Sequence, residues 1–302
     1  MRRFAGVALS LGAGLAAAML TRTPAAAPAA AAPSARTVRI GLIGSLFRDT
    51  SAPMVKVMLT PFKELMESQT GVRSDLVVVK SVDGLGRQLD DKEVELGVFH
   101  GFEFAWARQA HADLKPLLIA VNHQPFLRAC LVVRRDSKAE SFADLKGKKL
   151  ALHFRSREHS VLYLERRCVP PATAPSAFYG AVDTPANAED ALHDVVDGVD
   201  DAAVVDAADL AQFQTDKPGR AAKLKILQQS EAFPSAVVAY HKGALDQADL
   251  DRFRDGMIAA KSNRQGKELM TLCRITSFEA VPDDYEQMLR DIARAYPPPA
   301  PK

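Results

Sequence analysis

Short apolar segments alternate with amphipathic ones along most of the 302-residue chain, and this alternation constrains the fold more than any other feature. Val38–Leu42 is typical of a buried strand. It is followed by a helical pattern with apolar residues at Val55, Met58, Leu59 and Phe62. Strands and helices that alternate at these lengths favour parallel sheets with helices packed on their faces. We therefore predict an α/β fold.

The same pattern continues towards the C-terminus. Further strands are predicted at 75–79, 94–99, 117–121, 129–133, 150–152, 202–205, 224–227 and 236–240, and further helices at 85–89, 104–110, 188–196, 245–260, 267–272 and 283–296. Pro61 lies inside the first helical pattern, so a kink or a break is expected there.

Length and composition favour a soluble protein of two ordinary domains. A chain of 302 residues is long for a single small core, and 47% hydrophobic with 25% charged residues is typical of globular proteins. The net charge of +2 provides no overall field for nucleic acid or an anionic membrane, so no nucleic-acid partner is expected.

The first 36 residues are predicted to lie outside the fold. Met1–Arg3 is basic, residues 4–20 are apolar and rich in Ala, Leu and Gly, and residues 21–35 are rich in Ala and Pro with A-x-A-like sites. This order is typical of an export signal followed by a flexible spacer, which implies that the protein is exported and the signal removed. A retained membrane anchor is the alternative.

The cysteines leave the disulfide question open. Cys130 lies in an apolar segment and is best explained as a buried small side chain, whereas Cys168 and Cys273 could pair, which spacing alone does not establish. No CxxC, HExxH or Cys/His cluster is present, so neither a metal site nor a cofactor is predicted.

Enzyme motifs are also missing from the sequence. There is no G-x-S-x-G and no P-loop, and Gly84-Leu85-Gly86 lacks the third glycine of a dinucleotide fingerprint. A triad of Ser156, His159 and Asp206 would have neither a nucleophile elbow nor an oxyanion hole, so no catalytic residue is predicted.

One loop has the chemistry of an anion site. The strand at 150–152 leads through Arg155-Ser156-Arg157-Glu158-His159-Ser160 into a helix. Backbone amides at a helix N-terminus and the helix dipole both favour a negative ligand, and such loops in α/β sheets lie where ligands bind. A solvated turn in which Ser156 or Ser160 only caps the helix is the alternative.

Four segments together resemble a known family. Their order and spacing are similar to those of the periplasmic substrate-binding proteins of phosphate, phosphite and phosphonate ABC transporters, over about Val38 to Tyr296. The segments are VELGVFHGFEFAWA (94–107), SFADLKGKKLAL (141–152), GVDDAAVVDAADL (198–210) and FEAVPDDYEQML (278–289).

The resemblance implies a type 2 periplasmic-binding fold with two α/β lobes and an oxyanion in the cleft between them. With the extended segments near 125–133 and 234–240 as crossings, lobe 1 is expected to comprise 37–127 and 236–302, and lobe 2 to comprise 128–235. The implied function is capture of a small anionic ligand and its presentation to a membrane ABC permease. The protein is expected to act as a monomer.

The expected ligand-binding residues follow the predicted strands or lie where the family keeps its ligand loops. They are Ser45, Phe47, Arg48, Phe99, His100, Glu103, Arg155, Ser156, Arg157, His159, Ser160 and Asp206. The family's Ser-Thr-Ser-Gly run is replaced here by Ser156-Arg157-Glu158-His159-Ser160. Arginine can grip an oxyanion through two hydrogen bonds, whereas the acids Glu103 and Glu158 would fit an amine or a hydroxyl-rich ligand.

Two other functions remain open from the sequence. A periplasmic module that senses a ligand for a membrane receptor would share the fold, and genomic neighbours would distinguish it from a transport protein. A small enzyme on the same scaffold would show turnover with candidate metabolites.

Overall fold

The structure, a computed structural model, describes residues 34–48, 50–272 and 275–299 of the chain. Within these ranges the strands are β1 (Ser34–Ile43), β2 (Val72–Val79), β3 (Leu96–Phe99), β4 (Leu114–Val121), β5 (Phe126–Leu127), β6 (Ala129–Arg134), β7 (Lys149–Ala151), β8 (Ala181–Asp183), β9 (Ala202–Asp206), β10 (Leu224–Gln229), β11 (Phe233–Pro234), β12 (Ala236–His241) and β13 (Ser277–Glu279).

The helices alternate with these strands, as the sequence predicts. They are α1 (Ala52–Thr70), α2 (Val82–Asp90), α3 (Gly101–Ala110), α4 (Glu158–Arg167), α5 (Pro175–Phe178), α6 (Ala188–Asp197), α7 (Ala207–Asp216), α8 (Pro218–Ala221), α9 (Gln247–Ala259), α10 (Arg264–Leu272) and α11 (Tyr285–Ala295), with 3₁₀ turns at Gly44–Phe47, Phe142–Leu145 and Ala260–Ser262.

The larger sheet has six strands in the order β13-β4-β12-β3-β1-β2. The pairs β1–β2 and β1–β3 are parallel, as expected for strands joined by helices. Strand β12 lies between β3 and β4 and is antiparallel to both. This sheet is therefore mixed, with its parallel part at β2, β1 and β3.

The smaller sheet has five strands in the order β10-β6-β9-β7-β8. Strand β7 pairs in parallel with β8 and β9, whereas β6 is antiparallel to β9 and β10. Residues 129–133 of β6 are all buried, as expected for a strand that is covered on both faces. The chain passes between the two sheets along β5 and β11, which pair antiparallel with each other.

Each sheet is packed on both faces by apolar side chains. The larger sheet has one cluster around Leu85, Phe104 and Ile119 and another around Met66, Leu118 and Phe253. The smaller sheet has corresponding clusters around Leu150 and Tyr163 and around Leu192 and Val205. Helices on both faces of the sheets confirm the predicted α/β class. The sheets are mixed, however, and not mostly parallel as expected from the alternation of strands and helices, because β12 and β6 are each antiparallel to both of their neighbours.

The predicted interruption of the first helix is not observed. Helix α1 is continuous from Ala52 to Thr70 with Pro61 inside it. Pro61 and Val57 lie on the exposed side of the helix. The Val57 carbonyl, which loses its helical partner at a proline, therefore faces solvent that can hydrogen-bond it.

Two sequence predictions fall partly or wholly outside the described residues. The predicted export segment does so for residues 1–33, whereas residues 34–36, expected in the spacer, form the start of β1, where Ser34 pairs with Val72. The Cys168–Cys273 pairing lies outside because Cys273 is not described. Cys130 and Cys168 are buried thiols. Across the described ranges, none of the helices combines the length and apolar character that a membrane crossing requires.

Candidate functional site

Four places where a strand leads into helix bring polar residues together. These are the ends of β1, β3, β7 and β9, which are the carboxyl ends of the parallel strands of the two sheets. Ligands in α/β proteins bind at this end of a sheet. We call the residues involved the junction cluster: Ser45, Arg48, His100, Glu103, Arg157, Glu158, His159 and Asp206.

Glu103 caps the N-terminus of α3 and accepts a hydrogen bond from Ser45, which follows β1. It is the third residue of the helix, and its carboxylate accepts the backbone N–H of the preceding cap residue, His100. Ser45 Oγ donates to the same carboxylate and lies 2.8 Å from both oxygens. Burial raises the Glu103 pKa to about 7, with the nearby Glu158 charge adding to the rise.

His100 is held by the backbone of Ser45. Burial lowers its pKa to about 4, and a hydrogen bond with the Ser45 backbone opposes that shift. Electrostatic interactions with His159, Arg157 and Arg48 lower the pKa further. The imidazole ring stacks on Phe102 with ring centres 5.7 Å apart. The ring is therefore neutral at physiological pH.

An ion pair connects the segment after β1 of the larger sheet to the start of α4 after β7 of the smaller sheet. Arg48, which follows the 3₁₀ turn after β1, makes two hydrogen bonds with Glu158, the first residue of α4. The Nε–Oε2 distance is 2.6 Å. The planar guanidinium thus engages both carboxylate oxygens, in the geometry with which arginine also binds phosphate-type oxyanions.

A second group of charges lies within the smaller sheet. Arg157 Nε is 3.2 Å from Asp206 Oδ2, and His159 Nε2 is 3.4 Å from the same oxygen. The other carboxylate oxygen of Asp206 accepts the Ala208 N–H at 2.7 Å and so caps α7. Burial and then the Arg157 charge lower the His159 pKa to about 3, so this histidine is also neutral.

The remaining residues of the predicted anion loop have local roles. Ser156 Oγ donates to the His153 carbonyl at 2.7 Å, and Ser160 Oγ lies 3.4 Å from His159 Nε2. Arg155 adopts a φ of 57° and stacks over Phe154 at 5.3 Å. Neither serine caps α4, because its cap residue is Arg157, whose side chain makes no cap hydrogen bond.

The two predicted phenylalanines lie in different environments. Phe47 is part-buried in the 3₁₀ turn after β1, adjacent to Arg48. Phe99 has no exposed surface and packs against Phe104 in the core of the larger sheet. Its side chain stabilises the fold, so we leave Phe99 out of the site proposed below.

Sequence reasoning missed one member of the junction cluster. Glu158 belongs to the anion loop, but the sequence treats its charge only as an argument about ligand type. Its partner, Arg48, lies 110 residues earlier in the chain. A signal was available, because both residues adjoin a predicted strand end, but the pairing requires the two sheets to be brought together.

An open cavity of about 350 Å³ lies elsewhere, at the end of the smaller sheet where β7 and β9 begin. Its lining includes Lys138, Lys148 and Asp200. Burial and then contact with Asp183 raise the Asp200 pKa to about 6. The cavity contains none of the predicted site residues. In the described part of the chain, no group of three His, Cys, Asp or Glu side chains is arranged to hold a metal ion.

Comparison with known proteins gives one family match. The family of periplasmic substrate-binding proteins of phosphonate ABC transporters matches residues 46–285, which is most of the chain. No curated protein matches the chain.

Solved structures show the same fold at low sequence identity. XAC2383 from Xanthomonas citri, bound to chloride, is 17% identical with a TM-score of 0.56, over 86% of this chain and 97% of that one. PhnD1 from Prochlorococcus marinus, in complex with methylphosphonate, is 12% identical with a TM-score of 0.54, over 85% and 97%. A binding protein of an ABC phosphonate transporter from Pseudomonas aeruginosa, PA3383, is 17% identical with a TM-score of 0.52, over 85% of each chain. The two-lobed periplasmic-binding fold is thereby confirmed.

Proposed function

Because the chain belongs to the family of periplasmic substrate-binding proteins of phosphonate ABC transporters, we propose that it captures phosphate, phosphite or a phosphonate for a membrane permease. Proteins of this family bind a transported substrate and are not enzymes. The ligand is held between lobe 1, residues 37–127 and 236–302, and lobe 2, residues 128–235. The protein acts as a monomer, closing its lobes around the ligand.

The observation that carries this proposal is the two-bond contact between Arg48 and Glu158. A carboxylate and a phosphonate both offer two oxygens to the arginine fork. The Glu158 carboxylate thus marks the position at which a ligand oxyanion would bind Arg48. Because Arg48 and Glu158 come from different sheets, an anion at this point touches both lobes.

Other donors around the junction cluster support the same ligand class. Helices α3 and α4 begin without a side-chain cap from their cap residues, His100 and Arg157. Their first backbone N–H groups are therefore suited to an anion. Ser45, Phe47, Arg155, Ser156, Ser160 and Asp206 complete the proposed lining. The bound methylphosphonate of the Prochlorococcus relative belongs to the same chemical class.

The family functions outside the cytoplasm. We place the mature protein in the periplasm, with the residues before β1, which begins at Ser34, acting as an export signal and spacer of which the signal is removed. N-terminal sequencing of the secreted protein tests this, since a retained Met1 would contradict it.

A thermal-shift screen tests the function directly. We expect phosphate, phosphite or methylphosphonate to raise the melting temperature, because a ligand that binds only the native state stabilises it. Arg48→Gln should weaken the binding of the best ligand. Arg87→Gln, at an exposed i,i+4 pair on α2, is the matched control and should not change it. If no oxyanion raises the melting temperature, the proposed function is wrong.

A further inference from the structure

His100 presents a buried nitrogen to which the junction cluster gives no partner. The ring is hydrogen-bonded to the Ser45 backbone. The second ring nitrogen, Nε2, is buried and makes no hydrogen bond with any described residue. A buried polar atom without a protein partner requires an explanation, and one explanation is that the atom contacts a ligand when the ligand binds.

The chemical character of this nitrogen follows from its surroundings. With one ring nitrogen bonded to a backbone group and the ring neutral, Nε2 carries a lone pair and no proton. The groups that act electrostatically on the ring are His159, Arg157 and Arg48. Arg48 is paired with Glu158, and Arg157 with Asp206. Two cations near the ring oppose its protonation, so Nε2 acts only as an acceptor.

A hydrogen-bond acceptor is unusual in a site for an anion, because oxyanions themselves offer acceptors. The carboxylates of Glu158 and Asp206 lie in ion pairs with Arg48 and Arg157. His100 Nε2, in contrast, accepts no hydrogen bond from any described residue. A bound oxygen without hydrogen would leave two lone pairs facing each other, whereas a hydroxyl would satisfy both atoms.

We propose that His100 is a specificity-determining residue that selects oxyanions which retain a proton. The inference rests on the proposed function and narrows its ligand class. A phosphonate, phosphite or phosphate monoanion carries a P–OH group that donates to Nε2. A sulfonate of the same tetrahedral shape is fully ionised and has no such group. The acceptor is left unpaired when a sulfonate binds, which is expected to weaken binding by about ten- to a hundredfold.

Calorimetric titration with two probes of the same shape tests the proposal. Methylphosphonate and methanesulfonate are titrated at a mildly acidic pH, where the phosphonate is a monoanion with one P–OH. The wild-type protein should bind methylphosphonate at least about tenfold more tightly. His100→Asn replaces the acceptor with a side chain that also donates, so the preference should fall to within about threefold.

His193→Asn is the matched control, because His193 lies on α6 of the smaller sheet and outside the junction cluster. It should leave the preference unchanged. Equal affinities in the wild type, or a preference that survives His100→Asn, would overturn the role of His100 and leave the proposed function intact. If the wild type binds neither these two probes nor phosphate or phosphite, the proposed function itself is wrong.

A third probe tests the same point without a substitution, in case His100→Asn does not fold. The monomethyl ester of methylphosphonate keeps the phosphorus and the single charge but has no P–OH. The wild-type protein should bind this ester as weakly as methanesulfonate. Binding of the ester as tight as that of methylphosphonate would overturn the proposal.

Discussion

Asp206 combines two structural roles at one carboxylate. It caps α7 through the Ala208 N–H and forms an ion pair with Arg157 while being only 3% exposed. Asp206→Ala removes the cap and leaves the Arg157 charge with less compensation. We expect the free energy of unfolding to fall by about 3 kcal/mol in a urea titration.

The matched control for this substitution is Ser81→Ala, which removes an exposed cap at α2. It should cost about 1 kcal/mol. If Asp206→Ala costs no more than Ser81→Ala, the ion pair with Arg157 does not contribute to stability.

Glu103 should make stability depend on pH. Its pKa rises from 4.5 to about 7 on folding, so the native state holds the proton more tightly than the unfolded state. This contribution is full below about pH 4.5 and is lost as pH rises to about 7. Relative to Glu103→Gln, the wild type should therefore lose about 3 kcal/mol of unfolding free energy over that range.

Comparison with the variant at each pH isolates this effect. The lowered pKa values of His100 and His159 act in the opposite direction, because the unfolded chain binds their protons more tightly. Both proteins retain these histidines, so their contribution cancels in the difference. A difference that does not change between pH 4.5 and 7 would contradict a raised Glu103 pKa.

At the residue scale, the sequence predicted which side chains lie near strand ends but not which of them contact one another. The rule that polar residues after buried strands lie together selected Ser45, His100 and Asp206, and all three lie in the junction cluster. The family resemblance selected Phe99, which is the last residue of its strand and is buried in the core. Sequence gives the position along a strand, but the direction of a side chain depends on the pleat and on what packs behind it.

Helix α4 carries the competing carboxylate of the junction cluster at its first residue. Glu158 pairs with Arg48. Under the proposed function, a ligand displaces it from the guanidinium. Glu158→Gln removes that charge. Since partly exposed ion pairs contribute up to about 1 kcal/mol, methylphosphonate should bind about fivefold more tightly in calorimetry.

Glu165→Gln provides the control on the same helix, at an exposed position about two turns beyond Glu158. It should leave the affinity unchanged. Weaker binding by Glu158→Gln would mean that the carboxylate contacts the ligand itself and does not compete with it.

At the element scale, periodicity predicted most strands and helices but not every boundary. The strand expected at 75–79 begins at Val72, and the helix expected at 104–110 begins at Gly101. Helix α1 passes through Pro61 because the position is exposed and the lost hydrogen bond faces solvent. Helix propensity predicts that a proline inside a helix is destabilising, but the tertiary surroundings determine whether the helix forms despite it.

The C-terminal end of α4 is bonded to the end of α11 through Arg167. Arg167 donates to Glu231 at 2.8 Å and to the Ala295 carbonyl at 2.9 Å, and its guanidinium lies 5.0 Å from the Tyr296 ring centre. Arg167→Ala should lower the free energy of unfolding by about 2 kcal/mol. Chemical denaturation measures this change.

Arg166→Ala, at the neighbouring exposed position, is the control and should alter stability by less than about 0.5 kcal/mol. Because Arg167 lies outside the junction cluster, methylphosphonate affinity should be the same in both variants. Equal stabilities for the two variants would show that these contacts do not hold α4 to the C-terminal segment.

At the scale of the whole molecule, the two-lobed fold was predictable and the contacts between sheets were not. Ordered segments along the chain identified the family. The Arg48–Glu158 and Arg167–Ala295 contacts join residues 110 and 128 positions apart. Such contacts depend on how two sheets meet, which periodicity within each segment does not record.

The position of β12 has a consequence for how the protein is made. This strand fills the gap between β3 and β4, yet it is synthesised after the whole of the smaller sheet. A nascent chain that ends before Ala236 therefore holds two separated parts of the larger sheet with open strand edges. Distant pairings of this kind form slowly. Completion of the larger sheet must therefore wait for the last quarter of the chain, after every strand of the smaller sheet has been made.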